Sequence, residues 1–100
     1  MLIRIPVILY GLTKHNRHVS EDAETAVISR SGALLRTSTA FKPGATLDLT
    51  NSFSRECEKF RVVWVSEQQK QGHFDVGVEM QVPRDDFWGI TFPSRPASKS

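Results

Sequence analysis

Three histidines, one cysteine, a pair of adjacent aspartates and ten serines are the residues of this 100-residue chain that could carry chemistry. His15 and His18 stand in an H-x-x-H spacing, which could open a metal site, with His73 the only other imidazole. A tetrahedral site needs four donors, and neither a cysteine pair nor a set of carboxylates accompanies these two. Two histidines within a polar stretch read as solvated side chains, so no metal is expected. Ser29 could be drawn into a triad with His18 or His73 and an aspartate. Any chain with three histidines and several serines permits that drawing, and no strand–turn–helix nucleophile elbow surrounds Ser29. Asp85 and Asp86 could act as paired carboxylates, yet adjacent acids opening a helical turn are explained by their interaction with its dipole. Cys57 lies between Glu56 and Glu58, whose negative charge disfavours a thiolate nucleophile. A single cysteine also excludes an internal disulfide. The sequence therefore reads as a non-enzyme.

One segment says more. Val27-Ile28-Ser29-Arg30-Ser31-Gly32-Ala33-Leu34-Leu35 places a serine three residues before a glycine, between two β-prone runs. A strand that breaks there could expose backbone N–H groups and a hydroxyl. Gly32 at positive φ would complete a concavity able to hold an anion such as phosphate. A plain hairpin turn uses the same residues and is the alternative.

Those side chains need a scaffold. The composition, 39% apolar and 24% charged with six Gly and five Pro, is that of one globular domain, which excludes disorder and a large catalytic scaffold. The expected domain covers residues 1–93, followed by a disordered polar tail over 94–100. Thirteen Lys+Arg against eleven Asp+Glu leave a net charge of +2, too small an excess to argue for a duplex-binding stripe. Residues 1–10 are apolar but too short to span a bilayer, and they lack a cleavage pattern, so a cytoplasmic domain without membrane insertion is expected.

Residues 2–10 read as a strand, with Pro6 implying an edge or a bulge. Residues 12–22 are polar, lack a period and read as a loop. Short β-prone runs follow at 25–29 and 33–37. Lys42-Pro43-Gly44 signals a turn, and residues 46–50 alternate with period 2. Residues 60–65 form the most β-prone run, and 68–72 a hairpin loop. Phe74, Val76, Val78 and Met80 share one face of the next strand. Pro83 to Asp86 would start a short helical turn carrying Phe87 and Trp88, which are expected to cap the core. Six short strands and no sustained 3.6 period point to an all-β antiparallel barrel or sandwich. A barrel this small fills its interior with side chains, so any binding surface must be outside.

In this setting the segment around Ser29 resembles the PilZ domain family, whose second motif is Asp/Asn-x-Ser-x-x-Gly followed by small and apolar residues. Ser29 and Gly32 match it, and Val27 stands where Asp or Asn is expected. The resemblance runs over about residues 3–93. It includes Arg4-Ile5-Pro6-Val7, the turn at Pro43-Gly44, Val62-Val63-Trp64-Val65, Val76-Gly77-Val78-Glu79, Phe87-Trp88-Gly89 and Phe92-Pro93. It implies a six-stranded antiparallel PilZ-like β-barrel, usually with a helix nearby, that binds cyclic di-GMP, a bacterial second messenger. It also implies ligand contacts at Arg4, Ser29, Arg30 and Gly32, and ordering of the N-terminal segment over the barrel to present a surface to a protein partner. Guanidinium groups fork onto phosphate oxygens and stack on guanine faces, and a serine hydroxyl can reach phosphate or base.

The family's Arg-x-x-x-Arg pair precedes the first strand, where this chain offers Arg4 alone, as the second of the two. Loss of a desolvated charged partner costs about 2–5 kcal/mol, and loss of an acceptor opposite a buried donor about 1–3 kcal/mol. Even the low ends sum to roughly 3 kcal/mol, more than a hundredfold in affinity. The resemblance thus implies weak cyclic di-GMP binding, or else a ligand-independent adaptor working through protein–protein contact, for instance at an exposed patch near Phe87 and Trp88. A barrel for single-stranded nucleic acid would need exposed aromatics among Lys and Arg. The aromatics here fall mostly at alternating core positions, so neither DNA nor RNA is expected.

Overall fold

The computed structural model describes residues 2–13, 15–67, 71–84 and 86–89. Six strands form: β1 (Pro6–Leu12), β2 (His18–Ile28), β3 (Gly32–Thr37), β4 (Thr46–Asn51), β5 (Cys57–Val65) and β6 (Phe74–Met80). They close into an antiparallel barrel in the order β1-β2-β3-β6-β5-β4. No helix occurs among the described residues, and none there is long and apolar enough to cross a membrane. The expected six-stranded antiparallel barrel is the fold observed.

The interior is filled by alternating apolar side chains. Val7 and Leu9 of β1, Leu47 and Leu49 of β4, Phe60 and Val62 of β5 and Val76, Val78 and Met80 of β6 all point inward. Two aromatic groups close the ends. Phe41, on the connection from β3 to β4, is buried at one end, where it bridges Thr13. Phe87 and Trp88 plug the other, with Phe87 edge-on to Phe60 at 5.4 Å and to Trp88 at 4.9 Å. Their turn is tied down by buried Asn51, whose Nδ2 donates to the Phe87 carbonyl (2.9 Å) while its Oδ1 accepts from the Phe53 amide (2.9 Å).

Several local expectations change. The stretch 12–22 is mostly strand: β1 runs to Leu12 and β2 begins at His18, with the Asn16 amide donating to the Thr13 carbonyl at 3.0 Å between them and Asn16 at φ 62°. Alternation is present in β2 but disguised, because the inward positions are Val19, Glu21 and Ala23, partly buried, and Thr25, fully buried, rather than an apolar row. One oxygen of Glu21 is satisfied there, its Oε2 accepting the Ser38 amide at 2.6 Å. Pro6 is at neither an edge nor a bulge. It is the first residue of β1, where its missing N–H costs no ladder bond, and the closed barrel has no edge. Asp86–Trp88 form one turn, closed by the Gly89 amide on the Asp86 carbonyl at 3.1 Å, and Gly89 at φ 71° ends it. The turn at Lys42-Pro43-Gly44 is as expected, with Gly44 at φ 92°. Gln68–Lys70 of the expected hairpin loop, Asp85, Phe92-Pro93 and the tail over 94–100 lie outside the described residues.

Candidate ligand cleft on the β2–β3 hairpin

The segment singled out in the sequence becomes the β2–β3 hairpin. Ile28 pairs with Ala33, the Ser29 amide donates to the Gly32 carbonyl at 2.9 Å, and Arg30 and Ser31 form the exposed tip. On the outer face below this tip lies a shallow cleft of about 310 Å³. It is lined by Val27, Ser29, Ser31, Gly32 and Leu34 from the hairpin, Gly77 and Glu79 from β6, and Val63 from β5. The chemistry it offers is an apolar floor, two hydroxyls and a carboxylate.

Gly32 serves a purpose other than the one expected. Its φ is not positive, and the Ser29 N–H is consumed within the hairpin, so this is not an open cradle of backbone donors. The glycine is required instead by close approach: a Cβ there would lie 2.5 Å from the Val78 carbonyl oxygen. That contact lets β3 and β6 meet under the cleft, with Gly32 opposite Glu79 and the Met80 amide donating to the Ser31 carbonyl at 2.8 Å. Gly77 is different. A Cβ there would meet Trp64 Cβ at 3.5 Å, an ordinary contact, so its absence widens the cleft without being obligatory.

The far wall comes from an irregularity. The β5–β6 register shifts between Val62 and Trp64, so Val63 is an extra residue, and both Val63 and Trp64 are half exposed on the outer surface. The sequence reads residues 60–65 as one uninterrupted strand, because a continuous Val-Val-Trp-Val run does not reveal a bulge. The local sign in the sequence is Gly77, Trp64's partner across the ladder. Tyr10 and Phe53 are exposed as well, so fewer aromatics belong to the core than alternation implied.

Of the four expected ligand residues, Ser29 and Gly32 line the cleft, whereas Arg4 and Arg30 do not. Arg30 is at the hairpin tip. Arg4 lies in the lead-in to β1, exposed, with Nε 3.9 Å from Glu24 Oε1. That lead-in is held against β2 by Thr25, whose Oγ1 accepts the Ile5 amide (2.8 Å) and donates to the Ile3 carbonyl (2.6 Å), and by a bridge between Leu2 and Val27. Val27, the residue in place of Asp or Asn, does face the cleft. Glu79 is paired with Arg61 at 3.1 Å on the rim.

The other chemistry weighed in the sequence is dispersed. His15 is in the β1–β2 turn, while His18 stacks on Tyr10 at 5.8 Å with Nδ1 3.4 Å from the phenol oxygen. Among the described residues no three His, Cys, Asp or Glu side chains gather as a metal site would require. Asp86 is engaged by Arg84 Nε at 3.0 Å, and this hydrogen bond, followed by the guanidinium's charge, lowers its pKa from the ordinary 3.8. The same Arg84 holds Glu58 Oε2 at 2.8 Å and also Glu56 Oε1, so the acids flanking Cys57 belong to a structural cluster.

The fold and cleft define a small closed antiparallel β-barrel with a shallow, largely apolar outer site. Compared with protein-family models, with curated proteins and with solved structures, the chain matches none of them.

Proposed function

We propose that this chain is a PilZ-like bacterial signalling module of the cyclic di-GMP-binding class, cytoplasmic as such a messenger requires, and that its direct binding is weak. The observation that carries this reading is the cleft, which lies on the surface of the hairpin where Ser29 and Gly32 follow the family's spacing. Ser29 and Ser31 offer hydroxyls to a phosphate or base, and Leu34, Val63 and Gly77 offer an apolar wall to a guanine face. The affinity is limited by charge. No Lys or Arg lines the cleft among the described residues, Glu79 does, and Arg4 rests on Glu24. A ligand would add contacts to a lead-in already bonded through Thr25.

Isothermal titration with cyclic di-GMP tests this. Submillimolar binding is expected, weakened by Ser29→Ala. Val27→Asp restores the acceptor that the family carries, inside the cleft, and should tighten binding by about 5- to 150-fold, the equivalent of roughly 1–3 kcal/mol. Absence of heat at millimolar ligand for both the native chain and Val27→Asp would reject the reading.

That no Lys or Arg lines the cleft among the described residues favours a second reading, a ligand-independent adaptor. Its contact surface cannot be Phe87 and Trp88, which are buried in the barrel end. Under this reading Arg4→Ala and Ser29→Ala leave partner binding intact.

A further inference from the structure

β1 is apolar on both faces. Val7 and Leu9 point into the core, and Pro6, Ile8, Tyr10 and Leu12 point outward. The neighbouring strands behave differently: the outward row of β2 is His18, Ser20, Asp22 and Glu24, and that of β4 includes Asp48 and Thr50. A solvent-facing antiparallel strand alternates apolar with polar, whereas a strand apolar throughout is one covered on both sides. Phe53 prolongs the row at the Pro6 end, where the Ser52 amide donates to the Pro6 carbonyl at 3.0 Å. Phe53 is 74% exposed, Ile8 41%, Tyr10 47% and Leu12 38%. From Pro6 to Leu12 the row extends roughly 20 Å. Tyr10 is already ordered by its stacking on His18, which lowers the entropy lost on binding.

Carboxylates border this row on both sides. Glu24 is opposite Pro6, Asp22 opposite Ile8 and Asp48 opposite Tyr10. Glu24 meets Arg4 at 3.9 Å and Asp48 meets Lys59 at 3.1 Å, while Asp22 has no ion pair among the described residues. The closed barrel offers no edge for an added strand, so a partner must lie across a face. We propose that the outer face of β1 docks an amphipathic helical segment of another protein, apolar along one side and bordered by lysine or arginine. Roughly 13 residues of helix match the length of the row, with anchors at i, i+4 and i+7. A second copy of this chain is a poorer occupant, because its own carboxylate borders would face these. The inference does not depend on what the cleft binds.

Two labelled 18-residue helical peptides, one of Leu and Lys and its twin of Leu and Glu, titrated into the whole chain, provide the test. The Leu/Lys peptide should bind, with amide NMR shifts confined to β1, its two neighbours and the turn at Phe53. Its affinity should fall with added salt, and Tyr10→Ser and Asp22→Lys should each lower it by about fivefold or more. Thermal melts of both variants check that the barrel is intact. Equal binding of the two peptides, shifts centred on Val63 and Trp64 instead, or a Tyr10-dependent dimer of the chain in sedimentation would each overturn the proposal.

Discussion

At the scale of single residues, Arg84 ties three carboxylates together. Its guanidinium reaches Glu56, Glu58 and Asp86, and its amide donates to Met80 Sδ at 3.3 Å. It therefore joins the start of β5 to the segment that carries the Phe87-Trp88 plug. The consequence for pH has a definite sign. The folded pKa of Asp86 is depressed below 3.8 by the Arg84 hydrogen bond and charge. Its contribution to stability is thus complete above the unfolded value and is lost as pH falls through the folded one. A carboxyl-detected NMR titration should place the Asp86 midpoint below 3.8, and Arg84→Gln should return it to the ordinary value. A midpoint unchanged by Arg84→Gln would refute the assignment. The same substitution should lower the thermal midpoint of the barrel slightly at neutral pH, since exposed pairs contribute little each.

At the scale of elements, the two glycines under the cleft separate packing from recognition. Gly32→Ala forces a Cβ against the Val78 carbonyl, a backbone atom that cannot swing aside. The expected cost is about 1–3 kcal/mol, typical of overpacking, measurable as a lower urea midpoint. Gly77→Ala finds an ordinary contact with Trp64 and should leave the midpoint nearly unchanged while narrowing the cleft. Equal destabilisation by the two would contradict the close-approach account of Gly32. The comparison also shows what was legible in the sequence. Gly32 and Ser29 could be picked out by type and spacing, but whether the glycine served a positive φ or a close approach depended on β6, 45 or so residues away in the chain and invisible to local pattern. The strands with apolar alternation, β4 and β6, were readable. The first half of β2 was not, because Glu21 occupies an inward position, where one of its oxygens meets a partner on the β3–β4 connection. The bulge at Val63 was hidden for a related reason: register is a property of two strands, and one strand's composition does not fix it.

At the scale of the whole molecule, a closed barrel has two open ends, and its stability depends on how they are sealed. Each strand pairs with two neighbours, so the sheet itself carries no loose edge. The interior apolar row must still be kept from water above and below. Phe41 does this at one end; Phe87 and Trp88 do it at the other, where Phe87 is fully buried against Phe60. The second plug lies beyond the last strand and is joined to the barrel through Asn51 and Arg84 rather than by ladder bonds. Phe87→Ala should therefore behave as a core truncation, costing about 3–5 kcal/mol, a large part of the roughly 5–15 kcal/mol that holds a domain of this size folded. Trp64→Ala removes an aromatic of greater size from the outer surface, where half of it is already in water. It should cost well under half as much and leave the core intact. Denaturation followed by circular dichroism would read both, avoiding the indole signal that one variant removes. The order of the two effects decides the matter: a Phe87→Ala midpoint no lower than that of Trp64→Ala would show that the terminal turn merely rests on the barrel. The expected order makes the turn a structural part of the barrel and takes Phe87 and Trp88 out of reach of a partner, while the proposed row along β1 and the β6 wall of the cleft stand three strands apart around the ring.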